Sequence, residues 1–340
     1  MMDQKTMAMY KGICLGERAS LAKGITLIES TNMERHKQAR ILVDKLTMFS
    51  KEKAKNEGKP FVSFRIGLSG PPGAGKSTFT EVFGKMLTSS GHKVAVLAVD
   101  PSSGTTGGSL LGDKTRMPEL TKDMNAFIRP SPARGHLGGV TRTTNEAIIL
   151  CEASGYDIVL VETVGVGQSE YMVRDMVDMF CLLLPPAGGD ELQGIKRGIV
   201  EQSDLIIVTK NDGDMVPAAR RVAYEYMSAL KYMRPITKLW RPKVKLCSAV
   251  TKEGIEDVWK IMEKFRVVLG EAGELESRRA EQHKRWMWSY VEEKLLRLMR
   301  EMKGKEVEQL ELMVKKDLKS PGPAADQLIQ MFLEQCRRQS

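Results

Sequence analysis

No stretch of the 340 residues is apolar for long enough to span a bilayer, which excludes a membrane-spanning helix. Cysteine is sparse and scattered: Cys14, Cys151, Cys181, Cys247 and Cys336 stand far apart, with no C-x-x-C pair and no histidine nearby. That argues against a dedicated zinc or nickel site and for a reducing compartment. Lys and Arg are read as distributed along the chain rather than gathered in a block. The net +9 comes from Lys and Arg mixed with Asp and Glu along the chain, so a solvated basic surface is a better reading than nucleic-acid binding. Residues Met1 to Met7 lack an apolar secretory core and the Arg-rich, Ser-rich character of a transit peptide. The expectation is a chain with no targeting segment, or one already removed. Repeats and low-complexity tracts are missing too. What remains has ordinary globular composition, 42% hydrophobic and 28% charged, enough for one large α/β domain with extensions or for two small domains.

What is present centres on Gly70-Pro71-Pro72-Gly73-Ala74-Gly75-Lys76-Ser77-Thr78, which follows the run Phe64 to Ser69. The spacing G-x-x-x-x-G-K-S is that of a phosphate-binding loop. Backbone N–H groups surround the phosphates, Lys76 reaches the outer ones, and the Ser77 hydroxyl takes a ligand position on Mg²⁺. A helix is expected from Ser77, its N-terminal dipole facing the anion.

The chain divides into three parts. Residues 1–60 read as a helical extension, with Leu21, Ile25 and Ile28 three and four apart, and Ile41, Leu42 and Leu46 continuing the pattern. Asn56 to Pro60 is the joint. Residues 61–270 alternate short β-rich runs with helical stretches, the pattern of a P-loop NTPase α/β domain whose mostly parallel sheet is covered on both faces. The expected strands are Phe64 to Ser69, Val94 to Val99, Ile158 to Val161, Met179 to Leu184, Leu205 to Thr209 and Val244 to Cys247, mostly continuous apolar runs. Residues 271–340 are long charged helices. Their narrow seam of Trp288, Val291, Leu295, Leu298 and Met302 suits either a helix lying on the main domain or an arm pairing with a second subunit.

Functional residues belong at the carboxyl ends of such strands. Asp100 and Glu162 stand there, and one or two carboxylates beside Ser77 are what octahedral, oxygen-preferring Mg²⁺ requires. Asp113, in a Gly-rich segment, is a third. Glu162-Thr163-Val164-Gly165 has the D/E-x-x-G form in which the Gly165 N–H senses the γ-phosphate. Many GTPases place glutamine next to orient the attacking water, but Val166 stands here and Gln168 comes later, so intrinsic hydrolysis should be slow. Thr209-Lys210-Asn211-Asp212 fits [N/T]-K-x-D, in which Asp212 accepts from guanine N1–H and the 2-amino group, a donor pair adenine lacks. Thr209 replaces the commoner Asn. Ser248-Ala249 takes the place of the loop whose N–H meets guanine O6. Pro185 to Lys196 reads as a mobile functional loop. The basic loop carrying Arg134 and His136 suits an interface or a solvated surface equally.

With these residues in place, the chain resembles the G-protein chaperones of adenosylcobalamin-dependent methylmalonyl-CoA mutase, the family of the methylmalonic aciduria type A protein and its bacterial counterparts. The likeness runs from about Arg18 to the C-terminus, most specifically in Leu97 to Ser103, Gly112 to Met117, Glu162 to Glu170 and Pro185 to Gly198. It implies a GTPase that uses GTP and Mg²⁺, binds the mutase, gates adenosylcobalamin loading and removal of damaged cofactor, and forms a homodimer through its C-terminal arm. Direct cobalamin contact stays open. It matches Ser77, Asp100, Asp113 and Glu162 to the Mg²⁺ and switch network, and Asp190 to Lys196 to a third switch. Lys196 is the candidate stabiliser of transition-state charge, beside Lys76 and Glu162 as catalytic residues. His136 departs from the small polar residue expected of the family. The compartment implied is the mitochondrial matrix in a eukaryote or the cytoplasm in a bacterium. The rivals are a P-loop kinase, which guanine preference would argue against, a nickel-metallochaperone GTPase, which the scattered cysteines argue against, and a binding module with incidental hydrolysis.

Overall fold

The run Phe64–Ser69 is buried along its whole length, and an apolar segment with no solvent face fits the centre of a parallel sheet. It is β1 of the computed structural model, which describes residues 1–30, 32–99, 117–130, 137–163, 169–186, 197–302 and 304–339. The other strands are β2 (Val94–Val99), β3 (Ala126–Pro130), β4 (Ile158–Thr163), β5 (Met179–Leu184), β6 (Leu205–Val208) and β7 (Lys243–Leu246). All pair in parallel, in the order β3-β2-β4-β1-β5-β6-β7. From β1 the connections run one way to β2 and the other way from β5 to β7. The carboxyl end of β1 is therefore the switch point where ligands bind in open α/β sheets.

Three strands end within a residue or two of expectation: β4 extends to Thr163, β6 stops at Val208, and β7 begins at Lys243. β3 was missed. Its run is short and closed by Pro130, and it sits at an edge of the sheet, where proline is tolerated.

The described residues form two compact units, Met1–Gln282 and His283–Ser340. In the first, the helices are α1 (Gln4–Cys14), α2 (Arg18–Ile28), α3 (Met33–Asn56), α4 (Lys76–Ser89), α5 (Pro118–Lys122), α6 (Leu137–Ala153), α7 (Ser169–Arg174), α8 (Arg197–Glu201), α9 (Val216–Leu230), α10 (Ile255–Glu271) and the start of α11 (Glu274–Arg300). The first three pack on one another and on α6. Leu21, Ile25, Ile28, Leu42 and Leu46, spaced for one helical face, are all buried there. Asp3 and Asn32 cap α1 and α3 through backbone N–H groups of the first turn. Gly24 permits the close approach, because a Cβ there would lie 2.8 Å from Ile13 Cδ1. On one face of the sheet α4 and α10 share a core with Phe79, Phe83, Trp259, Met262 and Phe265.

In the second unit, the rest of α11, α12 (Lys305–Lys315) and α13 (Pro321–Gln339) are helical, α12 and α13 packing on each other. Leu310 and Ala324 are buried, whereas Trp288, Val291, Leu295 and Leu298 are exposed in the single chain. Among the described residues no helix is long and apolar enough to cross a membrane.

Candidate nucleotide site

β1 delivers the chain into the loop 70–75 and α4 leaves it one residue before the expected start, at Lys76. Two glycines make the loop possible. Gly73 and Gly75 have φ near 78° and 77°, a left-handed backbone that side chains rarely adopt, and a Cβ at Gly73 would point into open space. Gly70 runs so close to β5 that a Cβ would lie 2.1 Å from Leu183 O. The loop is thereby pressed against the sheet with its backbone accessible, as a phosphate cradle requires. Lys76 is buried and curls back along the loop, its ammonium donating to Gly70 O (2.7 Å) and Pro71 O (3.0 Å).

Glu162, on β4 directly beside β1, is the carboxylate the structure brings to the loop. Ser77 Oγ donates to its Oε1 (2.8 Å), and Thr80 Oγ1 lies 2.9 Å from its Oε2. Thr80 was not anticipated. Its signal was its place three residues after Ser77 on the same helix face, which points both hydroxyls to one acceptor. A serine hydroxyl and a carboxylate in contact are hard oxygen donors suited to Mg²⁺. The described residues contain no cluster of three His, Cys, Asp or Glu that could cage a metal. A magnesium that keeps most of its waters needs no such cage.

The base side is tied to the same loop. The Thr209 hydroxyl, at the end of β6, lies 2.7 Å from Ala74 O and 3.1 Å from Leu184 O, so this departure from the commoner Asn clips the phosphate loop to β5 and β6. Lys210 takes a left-handed backbone (φ 54°), and its Cε lies 3.9 Å from the Cβ position of Gly75, which lays its stem against the loop. Asn211 N donates to Cys247 O (3.0 Å), joining this turn to the one after β7. There the Ser248 hydroxyl donates to the Asp212 carboxylate and accepts from Val250 N and Thr251 N, which fixes the direction of Asp212. Gly75, Thr78, Lys210, Asp212 and Ala249 line one cavity of about 280 Å³, with Phe79, Met215 and Val250 as apolar walls the motifs did not reveal. An apolar slot with one oriented carboxylate can hold a planar base by its edge.

Of the expected site residues, the structure therefore brings together Gly70 to Thr78, Glu162, Thr209, Lys210, Asp212, Ser248 and Ala249. Asp100, Asp113, Gly165 and Lys196 lie outside the described residues, as do His136 and Gln168.

The family model described as "Methylmalonyl Co-A mutase-associated GTPase MeaB" matches residues 21–304. The mouse protein named methylmalonic aciduria type A homolog, mitochondrial, is 57% identical over 95% of this chain and 79% of its own length. Escherichia coli GTPase ArgK is 44% identical over 87% of each. A crystal structure described as LAO/AO transport system kinase superposes with a TM-score of 0.75 at 34% identity, covering 98% of this chain and 99% of that one. The chain thus belongs to the MeaB family of methylmalonyl-CoA mutase-associated GTPases, and its activity is GTP hydrolysis.

Proposed function

We propose that the protein is a slow GTP-driven switch that binds methylmalonyl-CoA mutase, gates loading of adenosylcobalamin and protects or reactivates the enzyme. The family description supports the partner, and the likeness to the mouse and bacterial relatives supports the activity. The observation that carries the switch is the shared Glu162 carboxylate. Ser77 and Thr80, both early in α4, hold one oxygen each. A change at the phosphates is thereby passed to the end of β4, which leads into Gly165.

The loop Gly70 to Thr78 receives the phosphates through its backbone N–H groups, and Lys76 moves its ammonium from the loop carbonyls to the outer phosphate oxygens. Ser77 and Glu162, with Asp100 and Asp113, would hold the magnesium. When bound, that ion supplies Lewis-acid neutralisation of the phosphate oxygens. Gly165 reports the γ-phosphate, and Lys196 supplies charge where it develops in the transition state. With Val166 after Gly165, a partner or another loop must position the water, which keeps unassisted turnover slow.

Asp212 selects guanine. Asp212→Asn is expected to reduce the preference for GTP over ATP by about two orders of magnitude, read as nucleotide affinities by calorimetry, because the amide cannot accept both guanine donors. Unchanged preference would remove the base assignment. A phosphoacceptor product formed with ATP would instead favour kinase chemistry, the description carried by the 34%-identical structure.

The exposed seam from Trp288 to Leu298 forms the homodimer. Leu295→Glu should convert a dimer mass in light scattering at micromolar concentration to a monomer mass. A monomeric wild type would refute the arm. In a eukaryotic source the protein acts in the mitochondrial matrix, as the names of the mouse and nematode relatives suggest, and in a bacterium in the cytoplasm.

A further inference from the structure

A second cavity, about 570 Å³, lies away from the nucleotide at the β7 edge of the sheet. Six cations line it: Lys231, Arg234, Arg241, Lys243, Lys245 and Lys264, against one carboxylate, Glu201. None of the six has an ion-pair partner among the described residues. Lys243 lies over the Trp240 ring. Much of the chain's +9 excess is therefore concentrated on one concave surface that the nucleotide chemistry does not use.

Its form follows from topology. α10 shares a core with Leu205 and Ile207 on one face of the sheet, while α9 packs on β6 and β7 outside that core. The cavity takes Met227 and Leu230 from α9 and Ile261 from α10. It also takes the consecutive residues Lys243, Val244 and Lys245. Because alternate side chains of a strand point to opposite faces, three in a row line a cavity only where it runs along the strand's edge. β7 pairs with β6 alone among the described residues. Cys247 N donates to Val208 O, so alternation turns the backbone groups of Lys243 and Lys245 toward β6 and those of Val244 outward into the cavity. The cavity is thus a groove between two helices, with an open strand edge along it, apolar walls and cations spread along its length.

We propose that this groove docks an extended acidic segment of the partner protein, taken up by strand addition on β7. One phosphate would call for converging donors, whereas cations carried by α10, β7 and the segment between α9 and β7 match charges distributed along an extended chain. This rests on the mutase being the partner and names the surface that meets it.

The test is titration of the mutase by calorimetry at two salt concentrations, with GTP turnover measured in parallel. Lys243→Glu/Lys245→Glu should weaken binding about tenfold or more and flatten its salt dependence, while the unassisted GTPase rate stays unchanged. Val244→Pro removes only an outward N–H, a position where an edge strand accepts proline, and should weaken binding without changing net charge. If wild type binds and both variants bind equally well, the groove proposal is overturned and the lysines merely guard an edge strand. If wild type itself does not bind the mutase, the partner reading falls, and the groove's assignment with it.

Discussion

Lys76→Ala is expected to reduce GTP turnover by about three orders of magnitude while leaving the fold intact. Preorganised positive charge at a transferring phosphoryl group is among the largest single contributions such a site can make. Lys76 is the one cation that the described phosphate loop itself contributes, buried and already held by the Gly70 and Pro71 carbonyls. Its loss leaves Gly73 and Gly75 to shape the loop and Thr209 to clip Ala74, so the backbone cradle should survive. The readouts are single-turnover hydrolysis, which should collapse, and the thermal midpoint, which should change little. Near-normal hydrolysis would remove Lys76 from the catalytic set. If the variant lost turnover yet still gated cofactor transfer to the mutase, hydrolysis would be incidental and nucleotide binding alone would be the signal.

Glu152→Gln is expected to cost about 3–5 kcal/mol of stability, a large share of the roughly 5–15 kcal/mol of a typical domain. Glu152 accepts from Arg65 Nε (2.7 Å) and Nη2 (2.9 Å) and from Ser63 Oγ (2.5 Å), with Arg279 Nη1 at 3.4 Å. Arg279 also binds Asp178 through Nε (2.7 Å) and Nη2 (2.5 Å). Arg65, Glu152, Asp178 and Arg279 are each at most 5% exposed, so two guanidinium groups and two carboxylates balance inside the protein. Removing one carboxylate leaves a net buried positive charge. The double replacement Arg65→Met/Glu152→Leu should cost less than the sum of its parts, because it leaves no unpaired buried charge.

The same cluster sets an acid limit. Burial alone would raise the Glu152 carboxyl, but the adjacent Arg65 and Arg279 outweigh it and hold it at about 2. An unfolded glutamate titrates at about 4.3. The folded value is depressed, so this stabilisation is fully present above the unfolded value and is lost as pH falls through the interval toward 2. Urea midpoints between pH 7 and pH 3 should fall for wild type, and the part due to Glu152 should be absent in Glu152→Gln. Ser63 and Asp178 precede β1 and β5, at the end of the sheet opposite the phosphate loop. Nucleotide affinity of the folded variant should therefore be unaffected.

Sheet and phosphate loop were legible because local pattern decides them. A continuous apolar run means a doubly buried parallel strand, and G-x-x-x-x-G-K-S permits few backbones. The buried charge cluster was not legible. Arg65 lies 87 residues from Glu152, and Arg279 lies 127 residues beyond Glu152, and nothing local distinguishes them from surface charges. The role of Thr209 was hidden for a similar reason: read as a weaker motif residue, it bonds to Ala74, 135 residues earlier. The edge groove was harder to see: five of its six cations fall within residues 231–245, but Lys264 and the apolar walls join them only once β7 takes its place between α9 and α10. The walls Phe79, Met215 and Val250 likewise meet only in three dimensions.

The nucleotide-gated chaperone is tested most directly by binding methylmalonyl-CoA mutase to the protein loaded with GDP or with a non-hydrolysable GTP analogue, alongside GTPase rates with and without the mutase. A switch that runs from Ser77 and Thr80 through Glu162 to its partner requires different affinities in the two states and faster hydrolysis with the mutase present. Equal affinities together with an unstimulated rate would contradict it.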